Sequence, residues 1–167
     1  LMPHACIGCD VIVGFPGETE ADFLETYRFL NELEVSYLHV FTYSERANTP
    51  AAEMSGAVPV DERRRRNQAL RGLSEMKRRE FYRAHLGATR PVLFEHHRDA
   101  ALLSGFTDNY IKIEVPASEG LLNGIAQVRL EHLSADGESV VATILDKISD
   151  SRRTDTSLQT AASALPV

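Results

Sequence analysis

A chain of 167 residues with 43% hydrophobic content is long enough to bury one large core or two small ones. Its formal net charge of −6 argues against a wholesale polyanion binder, because nucleic-acid modules carry a basic surplus that displaces counterions; only a local basic patch stays open. No apolar run is long enough to span a bilayer, and the opening "LMPHACIG" lacks the charged and long apolar regions of a secretion signal, so the chain reads as soluble with no membrane partner.

The first residues enter a strand-like run almost at once and without an initiator Met, which reads as a piece of something longer. Cys6 and Cys9 form one Cys-x-x-Cys, and a single such pair cannot supply four metal ligands. Cys9 is expected as a small buried strand residue and Cys6 as a loop thiol. With no disulfide framework, a reducing cytoplasm is the expected compartment.

Ile7 to Phe15 is apolar or small apart from Asp10, the pattern of a parallel strand covered on both faces. Pro16 and Gly17 stop it. Thr19 with Asp22 three residues on predicts a capping box, Glu18 and Glu20 suit the positive helix end, and Phe23, Tyr27, Leu30 and Leu33 make the apolar stripe of the helix that follows. "SYLHVFTY", residues 36–43, returns to strand composition and completes a β-α-β unit, whose crossover is right-handed and parallel. His39 within it is expected to be a hydrogen-bonded core residue. The turn after Phe15 and the segment "YSERANTP" therefore leave the carboxyl ends of neighbouring strands, the edge where parallel sheets place ligands.

Residues 61–86 read as a charged helix with Leu70, Leu73, Met76, Phe81 and Ala84 roughly on one side. The run Arg63 to Arg66 faces around that helix and reads as a solvated first turn, with RNA-backbone contact as the minority alternative. After Gly87 the runs "RPVLFE", "NYIKIEVP", "GIAQVRLEHL" and "SVVATIL", separated by turn residues, predict a small antiparallel barrel or sandwich. Ile111, Ile113 and Val115 should point in; Tyr110, Lys112 and Glu114 should face out, with Thr107 and Asn109 beside the turn. That outer face offers the stacking and backbone contacts RNA modules use, although a plain solvated face fits the pattern equally well. His96 and His97 read as a solvated loop, and the Ser-, Thr- and Ala-rich tail from 147 as disordered.

The Gly-Phe-Pro-Gly-Glu turn is not a phosphate loop of the Walker type, since it ends in Glu18 and Thr19 where that loop needs Lys and Ser or Thr. A carboxylate at the helix start occupies the place of an anion, so Glu18 prefers a cation or an N–H donor; the alternative is that it only caps the helix. Gly14 and Gly17 point to close approach of the backbone by something. Tyr43, Ser44 and Arg46 add an aromatic face, a hydroxyl and a guanidinium suited to a carboxylate.

Taken in order, "DVIVGFPGETEADFLETYRFL", "LHVFTYSERANTPAAEM" and "GFTDNYIKIEVP" resemble the radical-SAM methylthiotransferases of the MiaB-like family, and within it the MtaB type, from about Met2 to Leu145. The resemblance implies an α/β fold: residues 1–87 as the C-terminal part of a radical-SAM β/α barrel, 88–146 as an all-β, TRAM-like RNA-binding barrel, and 147–167 as a tail. It implies S-adenosylmethionine as cofactor, with Ile12, Val13 and Gly14 against adenine and Glu18, Tyr43, Ser44 and Arg46 around the rest of the site. Arg46 would hold the methionyl carboxylate or an RNA phosphate. Asn48 stands where many relatives have Gly, and Asn tolerates the same left-handed turn.

The implied reaction is methylthiolation at C2 of a threonylcarbamoyl-modified adenosine beside the anticodon of a tRNA, with Thr107, Asn109, Tyr110 and Lys112 gripping the RNA. The 4Fe-4S clusters it needs belong to cysteines implied to lie upstream of Leu1, since Cys6 and Cys9 match neither cluster set. On this reading the polypeptide alone is inactive, has no catalytic or metal-ligating residue of its own, and partners with the N-terminal part of the same enzyme. The competing readings are an RNA-binding module without chemistry, or a methylthiotransferase for another tRNA adenosine or a ribosomal protein.

Overall fold

The structure is a computed structural model that describes residues 2–97, 101–118 and 120–148. Strand β1, Gly8–Val13, helix α1, Glu20–Glu32, and strand β2, Tyr37–Thr42, form the expected β-α-β unit, and β1 pairs parallel with β2 from Gly8 opposite Tyr37 to Val13 opposite Thr42. Helix α1 starts on the expected capping box: the Thr19 hydroxyl accepts from the Asp22 amide at 3.2 Å while the Asp22 carboxylate accepts from the Thr19 amide at 2.8 Å. Phe23 and Leu30 are buried, with Tyr27 and Leu33 packed beside them against Val13, Leu38, Leu70 and Leu73.

A short 3-10 turn at Pro50–Glu53 leads to helix α2, Val60–Ala84, whose 25 residues span about 37 Å at 1.5 Å per residue. Its buried stripe is Arg63, Arg66, Leu70, Leu73 and Lys77, at alternating spacings of three and four. This corrects two expectations. Met76 and Ala84 are exposed, because that stripe turns them outward. Arg63 and Arg66 are buried at 6% and 3% exposure, so only Arg64 and Arg65 form a solvated turn.

Helix α2 also seals one edge of the sheet. The Ser74 hydroxyl accepts from the Leu38 amide and donates to the Leu38 carbonyl, both at 2.9 Å, and the Asn67 amide reaches the Val40 carbonyl at 3.4 Å. Among the described residues the sheet has two strands, so its second face is open. Ile12 and Phe41 are exposed there, as are Asp10 and His39, which sit opposite each other in the register. The expectation of a doubly covered β1 and a core His39 is corrected accordingly: the helices cover the face of Cys9, Val11 and Val13, and no described element packs on the other.

The second part is a closed barrel in the order β3-β4-β5-β7-β6. Its strands are β3 Thr89–His97, β4 Leu102–Thr107, β5 Lys112–Pro116, β6 Ile125–Leu133 and β7 Val140–Ile148. All neighbours are antiparallel except β5 and β7, which pair parallel over Ile113 and Glu114. Val92, Phe94, Leu103, Ile111, Ile113, Val115, Val128 and Leu130 fill the interior. His96 and His97 continue β3 opposite Ser104 and Leu103 and are not a loop. Strand β7 reaches Ile148, two residues into the expected tail; the rest of that tail, 149–167, lies outside the described residues.

The C-terminal end of α2 ties the barrel to the first part. Tyr82 joins the barrel core and its hydroxyl accepts from the Lys112 amide at 3.3 Å; Arg79 donates to the Asp136 carbonyl at 3.0 Å. From the other side, the Asn109 amide donates to the His4 carbonyl at 3.0 Å.

Candidate functional site

Two surfaces carry the expected site residues. The first is a cleft of about 470 Å³ at the carboxyl edge of β1 and β2, lined by Ile12, Phe15, Phe41, Tyr43, Ser44 and Arg46 together with Thr42, Thr49 and Ala51. Its walls are the exposed apolar side chains of the open sheet face, and Arg46 and Ser44 sit exposed at its polar side. The Tyr43 hydroxyl is buried with no hydrogen-bond partner among the described residues, and Phe15 meets the Tyr43 ring edge-on at 5.3 Å. Asn48 adopts the left-handed conformation, φ 63°, that the turn requires.

Three expected contacts are absent from that cleft. Val13 is 1% exposed and points into the helix-covered core. Gly14, at φ 79°, is approached by a protein side chain: a Cβ there would lie 2.4 Å from Cγ of Arg63. The Glu18 carboxylate closes its own turn, accepting from the Gly14 amide and, at 3.2 Å, from the Phe15 amide, with its other oxygen 3.3 Å from Arg66. Glu18 therefore takes the N–H donors and the cation that its place at the helix start calls for, and both belong to the protein.

The residues missed in the sequence are the two arginines that hold these loops. Arg63 donates to the Val58 carbonyl at 2.7 Å, the Tyr43 carbonyl at 3.2 Å and the Glu45 carboxylate at 2.6 Å. Arg66 donates to the Glu18 carbonyl at 3.1 Å and lies 3.3 Å from Glu20 and 3.1 Å from Glu62. Marking buried positions at three-and-four spacing through α2 without regard to charge would have found them, since long cationic side chains bury their stems and direct their heads.

These pairs set an acid dependence. Hydrogen bonds from Arg65, then its charge and a bond from Arg66, bring the Glu62 carboxyl down from its ordinary 4.5 to about 2; hydrogen bonds from Arg63 lower Glu45 and hydrogen bonds from Thr19 lower Asp22. A carboxyl depressed by folding stabilises the fold fully above its unfolded value and loses that contribution as pH falls through the folded one. Urea midpoints should thus be flat from about pH 7 to about pH 5, then fall between 4.5 and about 2, and Glu62→Gln should flatten part of that fall. An unchanged fall in the variant would remove Glu62 from the cause.

The second surface is the barrel's outer face. Ile125, Leu93, Phe106 and Lys112 stand in one row across β6, β3, β4 and β5. Leu93, Phe106 and Ile125 are exposed, and with Tyr110, Pro91, Glu95, Thr107 and Asp108 they line a depression of about 620 Å³. Tyr110, at φ 62°, is 72% exposed. Arg90 neutralises Asp108 at 3.1 Å.

Here too the expectations divide. Ile111, Ile113 and Val115 are fully buried as expected. Glu114 does not face out: it is 5% exposed where β5 pairs with β7. Thr107 and Asn109 are buried as well, and their side chains build the turn: the Thr107 hydroxyl donates to Asn109 Oδ1 at 2.7 Å and accepts from the Ile111 amide at 2.8 Å. They flank Tyr110, and their polar side-chain atoms are engaged within the turn and, for the Asn109 amide, by the His4 carbonyl. Phe106 was missed because Gly105 beside it obscures the strand alternation.

No family model matches the chain. It is 35% identical over 133 residues to threonylcarbamoyladenosine tRNA methylthiotransferase MtaB of Bacillus subtilis, covering 77% of this chain and 30% of that protein. The protein of the same name from Aquifex aeolicus is 42% identical over 113 residues, 67% of this chain and 26% of its own length. A tRNA-2-methylthio-N(6)-dimethylallyladenosine synthase of Protochlamydia amoebophila is 35% identical over 136 residues, 80% and 30%. Over most of its length the chain is thus similar to MtaB- and MiaB-type tRNA methylthiotransferases, consistent with a fragment of that family. It spans between 26% and 30% of the length of these relatives.

For a methylthiotransferase relative, the cysteines are informative. Cys6 and Cys9 are free and partly buried; burial pushes the Cys6 thiol up, and Cys9 packs on the helix-covered core. Among the described residues no three His, Cys, Asp or Glu side chains converge as a metal site, so these residues do not fit an iron-sulfur cluster. Nor is any helix of the described residues long and apolar enough to cross a membrane.

Proposed function

We propose that the chain is the cofactor-wall and RNA-gripping part of a cytoplasmic enzyme that methylthiolates C2 of a threonylcarbamoyl-modified adenosine beside the anticodon of tRNA. The observation that carries this reading is the extent of the similarity: an alignment of 133 residues in a chain of 167 has to include parts of both the cleft and the barrel. Residues 1–87 serve as the C-terminal part of a radical-SAM β/α barrel and 88–146 as a TRAM-like domain. The sealed edge of β2 supports this, because further parallel strands can join only on the β1 side, which makes β2 a last strand. The N-terminal part of the same enzyme supplies those strands and the 4Fe-4S cysteines.

The cleft suits S-adenosylmethionine. Ile12, Phe15 and Phe41 offer apolar surface for adenine, Arg46 a guanidinium for the methionyl carboxylate, and Tyr43 a buried hydroxyl in need of a partner. When bound, that cofactor supplies the radical and methyl-transfer chemistry. The chain's own residues bind and orient it, and the covered side of the sheet keeps water from the strand backbones.

On the barrel, Phe106 and Tyr110 are the stacking surfaces and Lys112 the phosphate contact. Tyr110→Ala in the full-length enzyme should weaken tRNA binding about tenfold or more, the worth of a lost base stack. Lys112→Ala should weaken it less and shallow the slope of log affinity on log salt by about one. Unchanged affinity and slope would remove both from the interface. The function itself is tested by mass spectrometry of tRNA nucleosides in a deletion strain. Loss of the methylthio group on threonylcarbamoyl adenosine supports the reading; its retention, or loss on another adenosine or a ribosomal protein, overturns the substrate.

A further inference from the structure

We propose that Arg63 is a positioning residue that sets the width of the cleft by fixing the arm after β2 to the turn after β1. The inference rests on the cofactor reading above for its functional consequence, but its geometry stands alone. Arg63 lines no part of the cleft, so it acts through residues that do. Its stem fills the space over Gly14, whose φ of 79° and missing Cβ make room for it. Its guanidinium then bonds three separate points: Val58 on the linker before α2, the Tyr43 carbonyl at the end of β2, and the Glu45 carboxylate further along the arm. The same guanidinium lies 5.6 Å from the centre of the Tyr43 ring.

The consequence is that one side chain, 6% exposed, ties together the two loops whose residues Phe15, Tyr43, Ser44 and Arg46 line the cleft. Tyr43 is held at its carbonyl by Arg63 and at its amide by the Val13 carbonyl, 2.9 Å away, so its backbone is fixed on both sides of the ring it carries into the cleft. Lysine cannot substitute: a single ammonium on a flexible stem does not reproduce a planar fork spread over three acceptors. A group misplaced by about 1 Å in a binding site forfeits much of its contribution.

The test uses Arg63→Met, which keeps most of the stem, Arg63→Lys, which keeps the charge, and Arg64→Met as an exposed control. In the 167-residue chain, amide exchange of Tyr43 should speed about tenfold in both Arg63 variants, while that of Leu33, bonded to Phe29 in the α1 end, stays unchanged. In the full-length enzyme, the dissociation constant for S-adenosylmethionine by equilibrium dialysis should rise about tenfold for both Arg63 variants, with kcat at saturating cofactor within about twofold of the parent. A parent that binds cofactor and an Arg63 variant that binds it equally well would overturn the proposal. So would equal acceleration at Tyr43 and Leu33, which marks general loosening. A parent that does not bind the cofactor overturns the functional reading instead, and the clamp is then decided by the exchange rates. If Arg63→Met does not fold, Arg63→Lys gives the same decision.

Discussion

Arg66→Met should destabilise the chain by about 3 kcal/mol, whereas Arg64→Met, on the exposed side of the same helix, should change it by less than about 0.5 kcal/mol. Both substitutions remove one positive charge from the same helical turn, so the difference isolates burial. The Arg66 side chain is 4% exposed and faces the mostly buried Glu18 carboxylate, the Glu18 carbonyl, Glu20 and Glu62. Removing it leaves Glu18 without its cation in a turn that cannot open to water without losing the Gly14 and Phe15 contacts. The loss lies at the low end for a broken buried pair because Glu20 is 50% exposed and can resolvate. Arg64, with 76% of its side chain exposed, pairs with Asp61 on its own helix. Urea denaturation followed by far-UV circular dichroism measures both, and equal losses would show that the network contributes no more than a surface pair.

The architecture was readable wherever a side-chain period matched a single environment. The capping box at Thr19 and Asp22, the α1 stripe and the inward set Ile111, Ile113 and Val115 all follow local rules and all appear in the structure. The arginines were misread because hydrophobic periodicity counts Arg as polar, while Arg63, Arg66 and Lys77 bury stems and satisfy carbonyls. Lys77 illustrates this at the far end of the stripe, donating to the Asn31 and Leu33 carbonyls at 3.0 and 2.8 Å around the C-terminal end of α1. Such roles depend on where a second element ends, which no local window contains.

The candidate site divided along the same line. Ile12, Tyr43, Ser44 and Arg46 do share one cleft, because strand parity and the carboxyl-edge rule place them together. Glu18 and Gly14 looked like ligand contacts for reasons that are physically sound, yet the donor, the cation and the close neighbour all turned out to be Arg63, Arg66 and backbone. On the barrel, Thr107 and Asn109 were placed beside the right turn but face into it. A turn sequence shows that polar groups are needed without showing whether they serve the turn or a ligand.

Gly105→Ala should cost the barrel about 3 kcal/mol or more, the upper range for forcing atoms into a packed interior, while Gly72→Ala should stabilise the chain by about 0.5 to 1 kcal/mol. The same added methyl group has opposite consequences because the two glycines have different neighbours. Gly72 lies exposed on α2 with no atom of the described residues within 4 Å of an added Cβ, so alanine only removes the entropy cost of a mid-helix glycine. At Gly105 a Cβ would lie 2.2 Å from the Leu93 carbonyl oxygen and 2.9 Å from Cα of Phe94, both backbone atoms that no rotamer change can move. Strand β4 presses on β3 there, just before the register shift between Phe94 and His96, so relief requires separating the two strands. Because Phe106 and Leu93 are paired at that point, the same separation would break the outer row on which RNA stacking is proposed. Thermal melts of both variants decide the matter. An intact Gly105→Ala barrel with a parental midpoint would mean that β3 and β4 are not held at this spacing, and the placement of the Phe106 row would fall with it.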